Sequence, residues 1–162
     1  MQVAVRSISN DCVVLAAPLA PNVNHRGTVF GGSACALGTL AAWSLLYCRL
    51  QDRSPATSLV LQRNTMVYER PMAGDFTARA SLAPEADWPA FLRTLERRGK
   101  ARISVSAQLL STEHDCGHYL GEFVALPEVE ATRDAPAGSQ VTHACDRTSA
   151  RLKAPAVLRG TP

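Results

Sequence analysis

The clearest period in the chain runs from Asp75 to Leu82, where Phe76, Ala78, Ala80 and Leu82 alternate with Thr77, Arg79 and Ser81. That two-residue period predicts a half-buried strand. Ala101–Leu110 repeats it through Ile103, Val105, Ala107 and Leu109, and Tyr119–Leu126 reads as a final strand. Between the first two, Trp88–Arg98 carries Phe91, Leu92 and Leu95 at helical spacing. A longer strand is expected over Thr57–Tyr68, with Val60, Gln62, Asn64, Met66 and Tyr68 on one face. Leu59, Leu61, Arg63, Thr65 and Val67 then take the other face. Apolar residues cluster on both sides of the turn pair Asn10-Asp11, which predicts two short strands, or a strand and a lead-in, within residues 2–19. Turns are expected at Glu69–Gly74 and His114–His118, and breaks at Pro18, Pro21 and Asp52–Pro55.

One stretch departs from this period. Asn22-Val-Asn-His-Arg-Gly-Thr-Val-Phe-Gly-Gly-Ser33 leads into a run with no charged side chain between Arg26 and Arg49. No carboxylate occurs between Asp11 and Asp52. Paired glycines before an Ala/Leu/Cys-rich run predict a loop entering a buried helix, with Ser33 as its N-cap. The helix has apolar residues on every side, Leu37, Leu40, Ala41 and Leu45 on one, Ala36, Trp43, Leu46 and Leu50 on others. A helix of that kind is buried all round, by a sheet wrapped about it or by a second subunit. Its length matches a membrane span, but its Gly, Ser, Thr and Cys content and the charged remainder of the chain argue for a core helix. No membrane span is therefore expected.

The order is strand, strand, buried helix, then four antiparallel strands with one small helix inserted, an α+β arrangement of one curved sheet around one helix. From Glu128 onward Ala, Pro, Thr, Gly and Ser dominate without a sustained period. The expected organisation is a single domain over residues 1–127 and a low-complexity, loosely attached tail over 128–162.

Composition narrows the function classes. The net charge of +3 is spread thinly rather than in a basic stripe, which argues against a nucleic-acid surface. The start, Met-Gln-Val-Ala-Val-Arg, has no apolar segment of signal-peptide type. Five scattered cysteines without a C-x-x-C pair point to reduced thiols and a cytoplasmic setting. No metal or other cofactor is expected. His114, Cys116 and His118 have ligand chemistry but lack a fourth partner, and a hairpin turn explains them.

A helix start points free N–H groups and its positive dipole end outward, which suits a carbonyl oxygen or developing oxyanion. Gly31, Gly32 and Ser33 are the candidate donors. His25 is the one histidine beside the loop and hence the candidate base near neutral pH, or else a solvent-exposed loop residue. Asn24 either orients water or substrate or closes an Asx turn that fixes the loop. Thr39 is either a polar contact for substrate or a helix-interior hydroxyl bonded to its own backbone. Cys35 is a candidate nucleophile in the first helical turn, though packing explains it better.

The segments Asn24-His-Arg-Gly-Thr-Val-Phe-Gly-Gly-Ser33, Thr39-Leu-Ala-Ala-Trp43, Tyr68-Glu-Arg-Pro71 with Asp75, and Arg97-Arg-Gly-Lys-Ala-Arg102 resemble the hotdog-fold thioesterases. More narrowly, they resemble the YiiD C-terminal-type thioesterase domain over about residues 1–127. The resemblance implies a hotdog fold, a homodimer or dimer of dimers with sites at the subunit interface, and hydrolysis of an acyl thioester of coenzyme A or acyl carrier protein. Many relatives have a histidine before the two glycines and a carboxylate two turns into the helix. Phe30 and Thr39 stand near those positions here. Hydrolysis would then use water oriented by Thr39, Asn24 or a polar residue of a partner subunit such as Gln62 or Asn64. Arg63, Asn64, Arg98, Lys100 and Arg102 are the candidate coenzyme contacts. A non-catalytic acyl-thioester binding module and a hotdog dehydratase are the competing functions.

Overall fold

The computed structural model describes residues 1–51, 57–112 and 114–127. The expected tail over 128–162 and the expected break at Asp52–Pro55 lie outside the described residues, as does Glu113. In chain order the elements are β1 (Ala4–Ile8), β2 (Val13–Ala17), a 3-10 turn (Ala20–Asn22), α1 (Gly31–Gln51), β3 (Thr57–Tyr68), β4 (Phe76–Leu82), α2 (Trp88–Arg98), β5 (Ala101–Ser111) and β6 (His114–Pro127). The six strands form one antiparallel sheet in the order β1-β2-β4-β5-β6-β3. The sheet wraps one face of α1, which packs on every strand from β2 to β6. Leu37, Ala41, Leu45 and Leu46 of the helix meet Phe76, Ala78, Ala80, Val105, Ala107, Leu109, Tyr119 and Phe123 in one core.

Local chemistry sets the ends of α2. The Asp87 carboxylate accepts the Ala90 N–H at 2.9 Å, and Gly99 adopts φ 69° while its N–H donates to the Leu95 carbonyl, an N-cap and a left-handed C-terminal stop. Arg49 closes the far end of α1. It donates to the Asn10 carbonyl at 2.8 Å and lies 4.5 Å over the Trp88 ring.

Three expectations change. Helix α1 begins at Gly31 and has Phe30 as its cap: the Phe30 carbonyl takes the N–H groups of Ser33 (2.9 Å) and Ala34 (3.1 Å). Ser33 is therefore inside the first turn, not at the N-cap. Within one chain the sheet covers one side of α1, and Gly32, Ala36, Leu40 and Tyr47 make an exposed stripe, with Leu40 41% and Tyr47 42% exposed. Strand β3 has a bulge at Gln62, between Leu61 and Arg63, so its two faces exchange there. Leu59 and Leu61 point to the core, then Asn64, Met66 and Tyr68 do, while Arg63 pairs outward with Glu122. Finally, His114–His118 is not a turn but the start of β6, with Cys116 as an extra residue between the partners of Leu109 and Leu110. Cys116 is buried and His118 58% exposed, so the strand sends this His/Cys group to different faces. Among the described residues no three His, Cys, Asp or Glu side chains converge on a metal position.

By length and hydropathy α1 is the one described helix that could cross a membrane. Eight of its residues are instead buried in this core.

Candidate active site

The loop ahead of α1 is pinned along its length. The Leu19 N–H donates to the Asp75 carboxylate at 2.9 Å. Asn22 is buried, gives its amide hydrogens to the Pro18 and Met1 carbonyls, and accepts the Phe30 N–H on its own carbonyl at 2.7 Å. Val29 donates to the Met72 carbonyl at 2.9 Å. Asn24 closes the tip of the loop: its Oδ1 accepts from the Arg26 and Thr28 N–H groups, and its Nδ2 donates to Thr28 Oγ1 and the Val29 carbonyl. That commits the amide of Asn24 to the Asx turn. Gly27, at φ 76° with open space around it, makes the reversal that this cage encloses.

Pinning the loop leaves α1 with a defined, open start. Phe30 takes up the N–H groups of Ser33 and Ala34. Among the described residues the Gly31 and Gly32 N–H groups have no acceptor, so the helix presents them as its free donors. Both glycines line a cleft of about 680 Å3. Its other walls are Arg26, Thr28 and Val29 of the loop and Tyr68, Glu69, Arg70, Pro71 and Met72 of the segment after β3. Backbone bonds from the Glu69 and Arg70 N–H groups to the Cys116 carbonyl, at 3.0 and 3.1 Å, hold that segment against β6. Glu69 is the one carboxylate of the cleft, 3.3 Å from His118 Nδ1. Arg26 and Arg70 have no ion-pair partner among the described residues.

Of the residues singled out in the sequence, Gly31 and Gly32 line this cleft, and Ser33 does not. His25 is exposed and also lies outside its walls. Thr39 sits deeper: its hydroxyl donates to the Cys35 carbonyl at 2.9 Å and lies 3.2 Å from the hydroxyl of fully buried Tyr119. Burial pushes the Tyr119 phenol above its ordinary range, the Thr39 contact opposing and Cys35 reinforcing the shift. Cys35 is half-buried, its Sγ 3.8 Å from Asn64 Oδ1.

The basic residues do not gather. Arg63 and Arg102 border a second cleft of about 430 Å3, where Glu85, Asp87 and Glu122 alternate with them. Asn64 is on the opposite face of β3, against α1, and Arg98 and Lys100 are exposed beyond either cleft. Tyr68, Arg70 and Arg26 are not among the site residues expected from the sequence. The available signal was Tyr68-Glu-Arg-Pro71, where a long strand ends in a charged pair before a proline.

Residues 1–127 match the model of the family described as "Putative thioesterase (yiiD_Cterm)". The chain belongs to that family. Among solved structures, a Chlorobaculum tepidum protein of unknown function is 29% identical, with a TM-score of 0.73 over 78% of this chain and 83% of that one. A "putative thioesterase" from Shewanella oneidensis is 26% identical, TM-score 0.68, over 78% and 85% of the two chains. A Haemophilus influenzae thioesterase, at 14% identity and TM-score 0.64 over 80% and 82%, shares the fold. The fold is the hotdog fold, and membership gives thioesterase as the class of activity.

Proposed function

We propose that the protein hydrolyses an acyl thioester of coenzyme A or acyl carrier protein in the cleft ahead of α1. One observation carries this reading: Gly31 and Gly32, whose N–H groups have no acceptor among the described residues, line the same cleft as Glu69. The thioester carbonyl oxygen takes those N–H donors. Glu69 removes a proton from water, whose oxygen adds to the carbonyl carbon and moves the electron pair onto the oxygen. Helix-start donors stabilise that oxyanion. Its collapse breaks the C–S bond, and the proton held by Glu69 goes to the departing thiolate, giving a free acid and a thiol.

In this reading the base is Glu69 rather than His25, Asn24 shapes the loop, and Thr39 holds the helix against Tyr119. Arg26 and Arg70 supply positive charge for an anionic carrier. Arg63, Asn64, Arg98, Lys100 and Arg102 stand apart from the cleft and receive no role in it. A homodimer, or a dimer of dimers, belongs to the same reading. The Leu40–Tyr47 stripe of α1 is exposed, and among the described residues β3 ends the sheet with no further strand beside residues 58–68; a second copy would cover both. The free thiols of Cys12, Cys35, Cys48 and Cys116 fit a reducing, cytoplasmic compartment. Residues 1–127, the span of the family match, are taken as the one domain that carries this activity.

A non-catalytic binding module is the second reading, favoured by the lack of any acidic residue in the first turn of α1. Thiol release from a panel of acyl-CoA and acyl-carrier thioesters, run beside calorimetric binding, separates the two. Turnover abolished by Glu69→Gln supports hydrolysis. Tight binding without thiol release sinks it.

A further inference from the structure

Tyr68 ends β3 at the rim of the cleft and reaches the first turn of α1. Its hydroxyl donates to the Gly31 carbonyl at 2.7 Å. Its ring lies so close to this residue that a Cβ at Gly31 would fall 3.2 Å from Cζ. The Gly31 carbonyl and the Gly32 N–H belong to one peptide unit. In a trans peptide the two point in opposite directions, so a group that grips the oxygen also sets the aim of the N–H. A hydrogen bond to the oxygen also polarises the amide and strengthens its N–H as a donor.

We propose that Tyr68 is a positioning residue, its hydroxyl holding the Gly31–Gly32 peptide so that the Gly32 N–H meets the substrate's carbonyl oxygen, which rests on that cleft being the thioester site. The hold on Tyr68 is itself firm. Its strand partner is Gly117, at φ 155°, where a Cβ would lie 2.3 Å from the Val67 carbonyl oxygen. No other residue lets β6 approach the end of β3 so closely. The Cys116 carbonyl then anchors Glu69 and Arg70 just beyond. Burial, with Cys35 acting in the same direction, keeps the Tyr68 phenol above its ordinary range, so it stays a donor through neutral and mildly alkaline pH.

Tyr68→Phe tests this directly, because it keeps the ring and removes only the hydroxyl. Tyr68 is 52% exposed, so the core survives the change. Turnover number on the best thioester should fall about tenfold while KM stays within about twofold, the mark of an interaction used in the transition state. Were packing alone at work, Phe would preserve turnover, and a turnover number within twofold of wild type overturns the proposal. The Gly32 amide resonance of the unliganded protein gives a readout that needs no activity. Its proton should move upfield in Tyr68→Phe, and an unmoved resonance likewise overturns the proposal. A wild-type protein that cleaves no thioester defeats the proposed function instead, and the Gly32 resonance then still decides whether Tyr68 tunes this peptide.

Discussion

Gly121→Ala should be among the most destabilising single-methyl changes in the described core. Gly121 lies on β6, two residues from both Tyr119 and Phe123, which are fully buried. A Cβ there would stand 2.6 Å from the Tyr119 hydroxyl oxygen and 2.8 Å from both Tyr119 Cε1 and Phe123 Cε2. Neither ring has space to swing in a close-packed interior. Overpacking of this kind costs about 1–3 kcal/mol. The loss of glycine's freedom in the unfolded chain returns roughly 0.4–1 kcal/mol. With three contacts below 3 Å the upper end of the cost applies, and the net loss is about 2 kcal/mol. That corresponds to a Tm lower by roughly 8 °C for a domain of this size. Tyr119→Phe alone should cost about 1 kcal/mol, the hydrogen bond shared with Thr39. The double variant decides the cause. If the hydroxyl is the main obstruction, Gly121→Ala in the Tyr119→Phe background should cost about 1 kcal/mol less than in wild type. Urea midpoints with unchanged slope would measure all four proteins. Additive effects within about 0.5 kcal/mol, or a Gly121→Ala midpoint equal to wild type, would refute the reasoning.

Glu69→Gln should lower the turnover number by about a hundredfold or more with Tm nearly unchanged, since Glu69 is about half exposed; turnover near wild type removes Glu69 as the base. Stability should fall as pH rises above 10.0, the ordinary phenol value, because the unfolded chain then releases the Tyr119 proton before the folded one does. Tyr119→Phe should flatten that alkaline decline in urea midpoint, and an identical decline in both proteins counts against burial as its cause. Light scattering should give the mass of two chains or four, and Leu40→Arg, on the exposed stripe of α1, should shift it to one; an unshifted mass takes that stripe out of the interface.

The periodic elements were legible because each depends on its own residues. Strand β5, strand β4 and helix α2 begin and end within one residue of their expected bounds, and β3 spans Thr57–Tyr68 as its pattern indicates. Gly31 and Gly32 were legible as a helix start for the same local reason. What failed depended on partners far away in sequence. The cap at Phe30 uses only backbone, so no side chain marks it. Gly117 has a turn-former's chemistry, and its close approach to Val67, next to the extra residue Cys116, shows only once β3 and β6 are paired. Thr39 meets Tyr119, 80 positions away, and nothing near Thr39 announces that contact. Arg63 and Arg102 share the second cleft while Arg98 stands outside both, a grouping set by how β3, α2 and β5 pack and not by the spacing of these residues.

The bulge at Gln62 joins these two kinds of residue. A strand without it keeps a strict two-residue period, and one extra or missing residue exchanges its faces. With Leu59 and Leu61 against the core, an unbroken period would carry Arg63, Thr65 and Val67 inward and Tyr68 outward. Arg63 would then face α1 and lose Glu122 as its partner. The bulge instead leaves Arg63 with Glu122 on the outer face and turns Asn64, Met66 and Tyr68 toward α1. Only then does the Tyr68 hydroxyl meet the Gly31 carbonyl, and only then does the segment carrying Glu69 and Arg70 close one wall of the cleft. The residue that keeps Arg63 beside Glu122 is thus the same one that brings Tyr68 to the helix start.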